Sequence, residues 1–177
     1  MRVESGVDVT SDEAVATLAR RLEGVGLDEL VCNAGILRDD DLAGVDLEEV
    51  RAQFEVNALG PLRTVKALRP NLRRGGKVAL VTSRMGSIGD NGSGGYYGYR
   101  MSKAALNAAG MSLARDLAPA GVSVAILHPG YVRTDMTARS GNVDPDDAAK
   151  QLVDRIDGLG ADNTGTFWHA NGQVLPW

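Results

Sequence analysis

The stretch that decides the fold runs from "GKVALVTS" (residues 76–83) to "GVSVAILHPG" (residues 121–130). Both segments are short apolar runs with β-branched residues, bounded by glycine or proline, which is the pattern of strands buried on both faces. Between them, residues from about Tyr99 to Leu117 have the composition of a helix. The order strand, helix, strand predicts parallel strands with right-handed crossovers, and therefore the α/β class.

The rest of the chain continues this alternation. The segment "LDELVCNAG" (27–35) predicts a further buried strand, and residues 164–177 predict a last strand and a tail. Apolar residues at helical spacing predict three more helices, each with an N-cap: residues 11–24 with Ser11 or Asp12, "LEEVRAQFEVNALGPLRTVKAL" with Asp46, and "DPDDAAKQLVDRIDGL" with Asp144. The glycine-rich segment 86–98 is predicted to be a loop, and residues 1–177 fit one domain.

Composition excludes several functional classes. The 19 basic and 23 acidic residues are mixed along the chain and give a formal charge of -4, whereas nucleic acid favours a concentrated basic face. No apolar segment is long enough to cross a membrane, and the amino terminus lacks the apolar core of a secretory signal, so a cytoplasmic protein is predicted. A single cysteine, Cys32, and two histidines, His128 and His169, predict neither a disulfide framework nor a metal site.

Candidate functional residues follow the predicted strands. In a parallel sheet the carboxyl ends of the strands meet at one edge, where ligands bind. Asn33 to Gly35, Ser83, and Pro129 with Gly130 come at or just after three strand ends. Tyr99 and Lys103 open the helix after the glycine-rich loop, and their spacing places both on one helical face. We therefore expect these side chains to share one crevice.

These residue types suit proton transfer to a carbonyl group. A tyrosine has a pKa near ~10, and a nearby cation stabilises the phenolate, so Lys103 is expected to lower the pKa of Tyr99. Ser83 is suited to hold a carbonyl against the tyrosine hydroxyl, and Asn57 to keep a water in line with the lysine. Each residue alone also has an ordinary explanation, such as a turn at Ser83, so the hypothesis depends on their joint occurrence.

Taken together, the motifs resemble those of the short-chain dehydrogenase/reductase family. They are "NAG" (33–35), Asn57 within "FEVNALGP", Ser83 within "VTSRMG", Tyr99 and Lys103 within "YGYRMSKAAL", and "HPGYVRTDM". The similarity extends from "VDVTS" to the end of the chain. The loop "GSIGDNGSGGYYGYR" and the tail "NGQVLPW" resemble the branch of C-factor and Sniffer-type carbonyl reductases in particular.

The resemblance implies an oxidoreductase that interconverts a small carbonyl compound and an alcohol with NAD or NADP. It implies that Tyr99 is the general acid/base and that Lys103 tunes it and anchors the ribose. Ser83 would orient the carbonyl, and Asn57 would relay protons. The residues implied to contact the cofactor are Asp8 and Asn33 on the adenine side, Val132 and Thr134 at the nicotinamide carboxamide, and Ala34, Gly35, Tyr99, Lys103, Pro129 and Gly130.

One residue departs from the family's pattern. Cys32 stands where the "NAG" motif usually begins with a further asparagine. Free cysteine is among the most buried residue types and packs as a small apolar side chain. We therefore expect Cys32 to fill space in the core rather than to react.

The family's fold begins with a strand, a glycine-rich turn and a helix whose amino terminus binds the cofactor pyrophosphate. No glycine-rich turn follows a strand before residue 33. The expected fold is therefore a truncated Rossmann-like parallel sheet flanked by helices, without the first two strands and helices. Without that turn, weak dinucleotide binding is expected, and the sequence does not distinguish NAD from NADP.

The same gap places the strand within residues 28–35 at an edge of the sheet. An apolar edge strand pairs readily with another chain, so we expect a homo-oligomer through this edge, unless "GVDV" (6–9) folds over it. Two functions stay open. The four polar residues support the oxidoreductase, and the absent glycine loop supports a non-catalytic interaction or signalling protein derived from the same fold. A start codon further upstream would favour the oxidoreductase.

Overall fold

Helices and strands alternate along the chain as predicted. The computed structural model describes residues 3–177. Its strands are β1 Leu27–Cys32, β2 Leu72–Val81, β3 Ser123–His128 and β4 Phe167–His169. Its α-helices are α1 Asp12–Arg21, α2 Leu47–Phe54, α3 Gly60–Leu68, α4 Tyr97–Leu117 and α5 Pro145–Asp157. None of the helices in this part of the chain is both long and apolar enough to cross a membrane.

The strands form one parallel sheet in the order β1-β2-β3-β4. Val78 of β2 pairs with Val124 of β3, and Ile126 of β3 pairs with Phe167 of β4. Because all strands run the same way, their carboxyl ends meet at one edge, as the strand, helix, strand order predicted. The α/β class and the Rossmann-like arrangement of sheet and helices are confirmed.

Both faces of the central strands are covered. One core cluster joins the sheet to α3 and α4, and includes Val65, Leu80, Leu106 and Val124. The second cluster lies on the opposite face under α5, and is formed by Ala79, Ala125, Leu127, Ile156 and Leu159. Burial on two faces explains why β2 and β3 are continuous apolar runs instead of alternating ones.

The helix starts match the predicted caps in two of three cases. Ser11 Oγ accepts from Ala14 N at 3.2 Å, and Asp46 Oδ1 accepts from Glu48 N at 2.8 Å. Asp144 precedes α5 but makes no side-chain capping bond. Its carboxylate instead accepts from Arg133 Nη1 at 2.7 Å, because an ion pair to the preceding loop competes for it.

The helix predicted over residues 47–68 is interrupted. A π-helical turn, Glu55–Leu59, separates α2 from α3. Turns of this kind accommodate an extra residue in a helix and are frequent at functional sites. Here the turn contains Asn57, one of the predicted site residues, and buries its side chain completely.

Strand β1 lies at an edge of the sheet, as predicted. In residues 3–177 its outer side pairs with no other strand, and residues 6–9 form no strand. The alternative in which "GVDV" folds over this edge is therefore wrong. Val31 in β1 keeps 49% of its surface exposed.

The close approach of α4 to the sheet generates the first prediction. A Cβ added to Gly110 would lie 2.7 Å from Ile126 Cγ1 and 3.0 Å from Leu80 Cδ1. Gly110→Val should therefore lower the free energy of unfolding by about 1–3 kcal/mol through overpacking, measured by urea denaturation. Ala108→Val, on the exposed side of the same helix, is the matched control. Equal effects of the two substitutions would contradict tight packing at Gly110.

Candidate active site

A cleft of about 950 Å³ opens at the carboxyl ends of β1, β2 and β3. Ten of the twelve residues proposed from the sequence line it: Asn33, Ala34, Gly35, Ser83, Tyr99, Lys103, Pro129, Gly130, Val132 and Thr134. The parallel sheet brings them together because each follows a strand end or begins the helix beside one. The remaining two, Asn57 and Asp8, do not line the cleft.

Tyr99 and Lys103 lie one turn apart on α4, and both are buried, with 7% and 4% of their surfaces exposed. Lys103 Nζ donates to the backbone oxygen of Val81 at 3.0 Å and lies 5.7 Å from the centroid of the Tyr99 ring. The end of β2 therefore fixes the ammonium group against the tyrosine. An ammonium this close to an aromatic face is attracted by the ring's quadrupole.

Burial changes the acid–base properties of both groups. It lowers the pKa of Lys103 to about 8, because the charged ammonium is the form that burial disfavours. Burial raises the pKa of Tyr99, and the hydrogen bond with Ser83 lowers it to a lesser extent. In this structure desolvation of the phenolate is the largest effect, so the pKa of Tyr99 lies above its ordinary value. The lowering by Lys103 that the sequence predicts stays a prediction.

Asn57 supports the backbone after β1 instead of facing the cleft. Its Nδ2 donates to Ile36 O at 2.8 Å and to Ser102 Oγ at 3.0 Å, and its Oδ1 accepts from Ile36 N at 2.8 Å. Both N–H donors of this buried amide are used, and Oδ1 accepts one of the two hydrogen bonds that it can accept, so the side chain anchors the segment after β1. The relay role of Asn57 stays a prediction. Gly35 connects this anchor to the site, because a Cβ there would lie 3.3 Å from Asn57 Oδ1 and 3.5 Å from Lys103 Nζ.

Asp8 belongs to the turn that precedes α1. Its Oδ1 accepts from Thr10 N at 2.8 Å and from Thr10 Oγ1 at 2.7 Å, and its backbone oxygen accepts from Ser11 N at 3.1 Å. These bonds to Thr10 lower the pKa of the Asp8 carboxyl. The short polar side chain stabilises a local turn, so its interactions here are structural.

Sequence reasoning missed Asp40, which caps α4 from a distant part of the chain. Its carboxylate accepts from the backbone N–H groups of Tyr97 and Gly98, and its backbone oxygen accepts from Tyr96 N at 2.8 Å. Tyr96 adopts a left-handed conformation with φ 53° and makes no cap of its own. Because Asp40 lies 57 residues before Tyr97, no local motif could have indicated this role.

The wall opposite α4 is the loop that follows β3. Val132 and Val143 form an isolated parallel bridge across it, and Arg133 Nε donates to Gly141 O at 2.9 Å. Cys32, the last residue of β1, belongs to the core cluster under α3 and α4, where it is 8% exposed and burial raises the pKa of its thiol to about 12. The thiol therefore stays protonated and unreactive, as expected for a residue that fills space.

Comparison with known proteins identifies this arrangement. The family model described as enoyl-(acyl carrier protein) reductase matches residues 2–157. A 1-hydroxy-2-glutathionyl-2-methyl-3-butene dehydrogenase of Rhodococcus sp. (strain AD45) is 48% identical over 99% of this chain and 80% of its own. The chain belongs to the short-chain dehydrogenase/reductase family. Within it, the chain is similar to C-signal of Myxococcus xanthus, at 44% identity over 85% of this chain and 93% of that protein.

Solved structures show the same fold and branch. The carbonyl reductase Sniffer of D. melanogaster superposes with a TM-score of 0.91 and 33% identity, over 97% of this chain and 76% of that one. A short-chain dehydrogenase/reductase from Burkholderia multivorans with bound NADP gives a TM-score of 0.88 at 31% identity, over 96% and 75%. The resemblance to C-factor and Sniffer-type carbonyl reductases is confirmed.

The residues present fit one half of a nicotinamide dinucleotide. Lys103 Nζ and the bare backbone of Gly35 lie side by side on the cleft floor, where an added Cβ would be only 3.5 Å from Nζ. Gly130, with φ 92°, turns the chain just after β3, where the loop that forms the wall opposite α4 begins. In residues 3–177 no strand with a glycine-rich turn and helix precedes β1, so the fit covers the nicotinamide and its ribose, not the pyrophosphate.

The buried ammonium predicts a pH-dependent stability. Because the folded-state pKa of Lys103 is about 8 and its unfolded value is 10.5, the folded protein binds fewer protons between these limits. The free energy of unfolding therefore rises with pH in this range. The destabilisation by the buried ammonium reaches its full value of about 3 kcal/mol only below pH ~8. Lys103→Met should raise the free energy of unfolding by about 1–3 kcal/mol at neutral pH, and the gain should shrink as the pH approaches 10.5.

Urea denaturation of both proteins between pH ~6 and ~10 measures this gain. Lys66→Met removes an ammonium group from an exposed position on α3 and is the matched control. A gain for Lys103→Met that stays constant over this range would show that Lys103 titrates normally.

Proposed function

We propose that this protein is an oxidoreductase that interconverts a small carbonyl compound and the corresponding alcohol with a nicotinamide cofactor. The observation that carries the proposal is the convergence of Ser83, Tyr99 and Lys103 on one cleft at the carboxyl ends of the strands. Members of the same family with similar folds include carbonyl reductases and an NADP-bound enzyme, which supports this choice of reaction and cofactor.

The side chains have distinct tasks in the reduction. Ser83 donates a hydrogen bond to the substrate oxygen and holds it beside Tyr99. A reduced nicotinamide cofactor, when bound, supplies the hydride for the carbonyl carbon. Tyr99 donates its phenolic proton to the oxygen as that atom gains charge, so that the alcohol leaves neutral. The raised pKa of Tyr99 keeps the hydroxyl protonated at neutral pH, which is the form that this step needs.

Lys103 serves the same step by its charge. With a pKa of about 8 it is mostly protonated at neutral pH, and it stabilises the phenolate that Tyr99 becomes. The same ammonium, with Asn33 to Gly35 on one side and Pro129, Gly130, Val132 and Thr134 on the other, would hold the ribose and nicotinamide. Since these residues provide no pyrophosphate cradle, we propose weak binding of NAD or NADP by residues 3–177.

The first experiment titrates the purified 177-residue chain with NADH and NADPH and follows thermal stability and fluorescence. A ligand that binds the native state raises its stability by an amount set by its concentration relative to Kd. Binding of either cofactor, followed by reduction of an aldehyde or ketone panel, supports the oxidoreductase. An unchanged stability at millimolar cofactor would instead favour the non-catalytic interaction protein.

Tyr99→Phe tests the proposed acid. Removing the hydroxyl should lower kcat/KM by roughly 100-fold to 10,000-fold without loss of cofactor binding, the range for a general acid. Tyr97→Phe is the matched control, because Tyr97 lies two residues away on α4, is 37% exposed and does not line the cleft. Retention of activity in Tyr99→Phe would rule out the assigned role.

We also propose that β1 pairs with a second copy of the chain. Its outer backbone groups have no strand partner in residues 3–177, and Val31 adds an exposed apolar side chain. Unpaired edges of this kind join sheets between molecules. A cytoplasmic location likewise stays a prediction from the sequence.

Val31→Lys tests the pairing, because a lysine on an edge strand discourages association. We expect the wild-type chain to form dimers or larger assemblies in sedimentation experiments, and Val31→Lys to shift them towards the monomer. Val153→Lys changes another exposed valine, on α5 at 53% exposure, and should leave the assembly intact. A wild-type monomer at micromolar concentration would contradict the proposal.

A further inference from the structure

Arg84 directly follows Ser83 and lines the same cleft, with half of its side chain exposed. Its guanidinium binds Asp90 through two contacts, from Nε to Oδ2 and from Nη2 to Oδ1. A guanidinium has five N–H donors in a planar fork. In residues 3–177 the Nη1 group of Arg84 has no hydrogen-bond partner, so part of the fork is free for a ligand.

The part of the cleft around Arg84 carries a net positive charge. Arg100 also lines the cleft, but its guanidinium donates to the backbone oxygens of Gly95 and Met85 and to Ser93 Oγ, none of them charged. The hydrogen bond from Arg84 lowers the pKa of Asp90, and the positive charges of Arg84 and Arg100 lower it further. Arg84 binds the Asp90 carboxylate, and Arg100 adds a second positive charge near it.

Other charges do not cancel this excess. Asp135 lines the cleft as well, but it forms an ion pair with Arg139 at 3.1 Å. Two neutral histidines, His128 and His169, complete the surroundings of Arg84. Burial lowers the pKa of His128 to about 4 and also lowers that of His169. The positive charge of Arg84 lowers both pKa values further. The field of Arg84 thus extends to the histidine pair, whose rings lie 4.9 Å apart.

We infer that Arg84 forms a subsite for an anionic group, and that the substrates are carbonyl or alcohol compounds that carry a carboxylate. The inference rests on the proposed function, because a substrate held by Arg84 presents its carbonyl to Ser83 and Tyr99. Planar bidentate recognition of carboxylates is what arginine does best. Asp90 holds the guanidinium in position and competes with the ligand for it.

Ser83 and Arg84 are adjacent in the chain and line the same cleft, so one small molecule is expected to contact both. Short keto acids carry a carbonyl and a carboxylate in one such molecule. The probes are 4-oxopentanoate and 5-oxohexanoate, with their methyl esters as neutral counterparts.

Because the chain contains two histidines, both within the field of Arg84, proton NMR can follow binding without any cofactor. A carboxylate on Arg84 offsets the positive charge and raises the pKa of His169. We expect the keto acids to shift the His169 Cε1–H signal and raise this pKa, with roughly tenfold to hundredfold higher affinity than the esters. A His169→Gln variant assigns the signal.

Three variants give the test its controls. Arg84→Gln should raise the pKa of His169 without ligand and reduce keto acid affinity to that of the ester. Asp90→Asn removes the competing carboxylate and should increase keto acid affinity. Arg115→Gln, at an exposed position near the end of α4, should leave both ligands unaffected.

The outcomes separate the subsite from the proposed reaction. Equal binding of acids and esters, no binding of either, or full acid binding by Arg84→Gln overturns the anionic subsite. Keto acid binding that depends on Arg84, without cofactor-dependent reduction, upholds the subsite and contradicts the oxidoreductase. In an active enzyme, Arg84→Gln should raise KM for the keto acids and leave KM for the esters unchanged.

Discussion

The close contact between α4 and the sheet is the constraint on which the site depends. Gly110 brings the helix against Ile126 and Leu80, and Gly86 approaches the backbone of Lys103 so closely that a Cβ would lie 2.8 Å from its carbonyl carbon. Side chains at these positions would push the helix away from the strands. With the helix at this distance, Lys103 reaches the last carbonyl of β2, and Tyr99 lines the same cleft as Ser83.

This placement is unfavourable for folding and favourable for chemistry. A buried ammonium with one backbone acceptor destabilises the native state, and a buried phenol resists ionisation. Both effects serve a proton donor beside a cation, because the phenol keeps its proton until the substrate oxygen needs it. The sheet and the second core cluster under α5 supply the stability that offsets this local burden.

The sequence predicted the elements and ten of the proposed site residues because these follow from periodicity and strand ends. The structure places Asn57 and Asp8 outside the cleft lining, where their side chains bond to backbone groups whose positions depend on the folded chain, and their proposed roles stay predictions. The π-helical turn at Glu55–Leu59 left no mark on the apolar pattern, so Asn57 was predicted on a regular helix face. Asp40 was missed because the amides that it caps are distant in sequence.

The Asp40 cap has a consequence for motion. The segment after β1 is joined to α4 at two places, by Asp40 at the helix start and, through Asn57 and Ser102, at the next turn. Local opening of that segment must release the first amides of α4 as well. The floor of the cleft and the start of the tyrosine-bearing helix should therefore exchange their amide hydrogens as one cooperative unit, slower than the neighbouring glycine-rich loop.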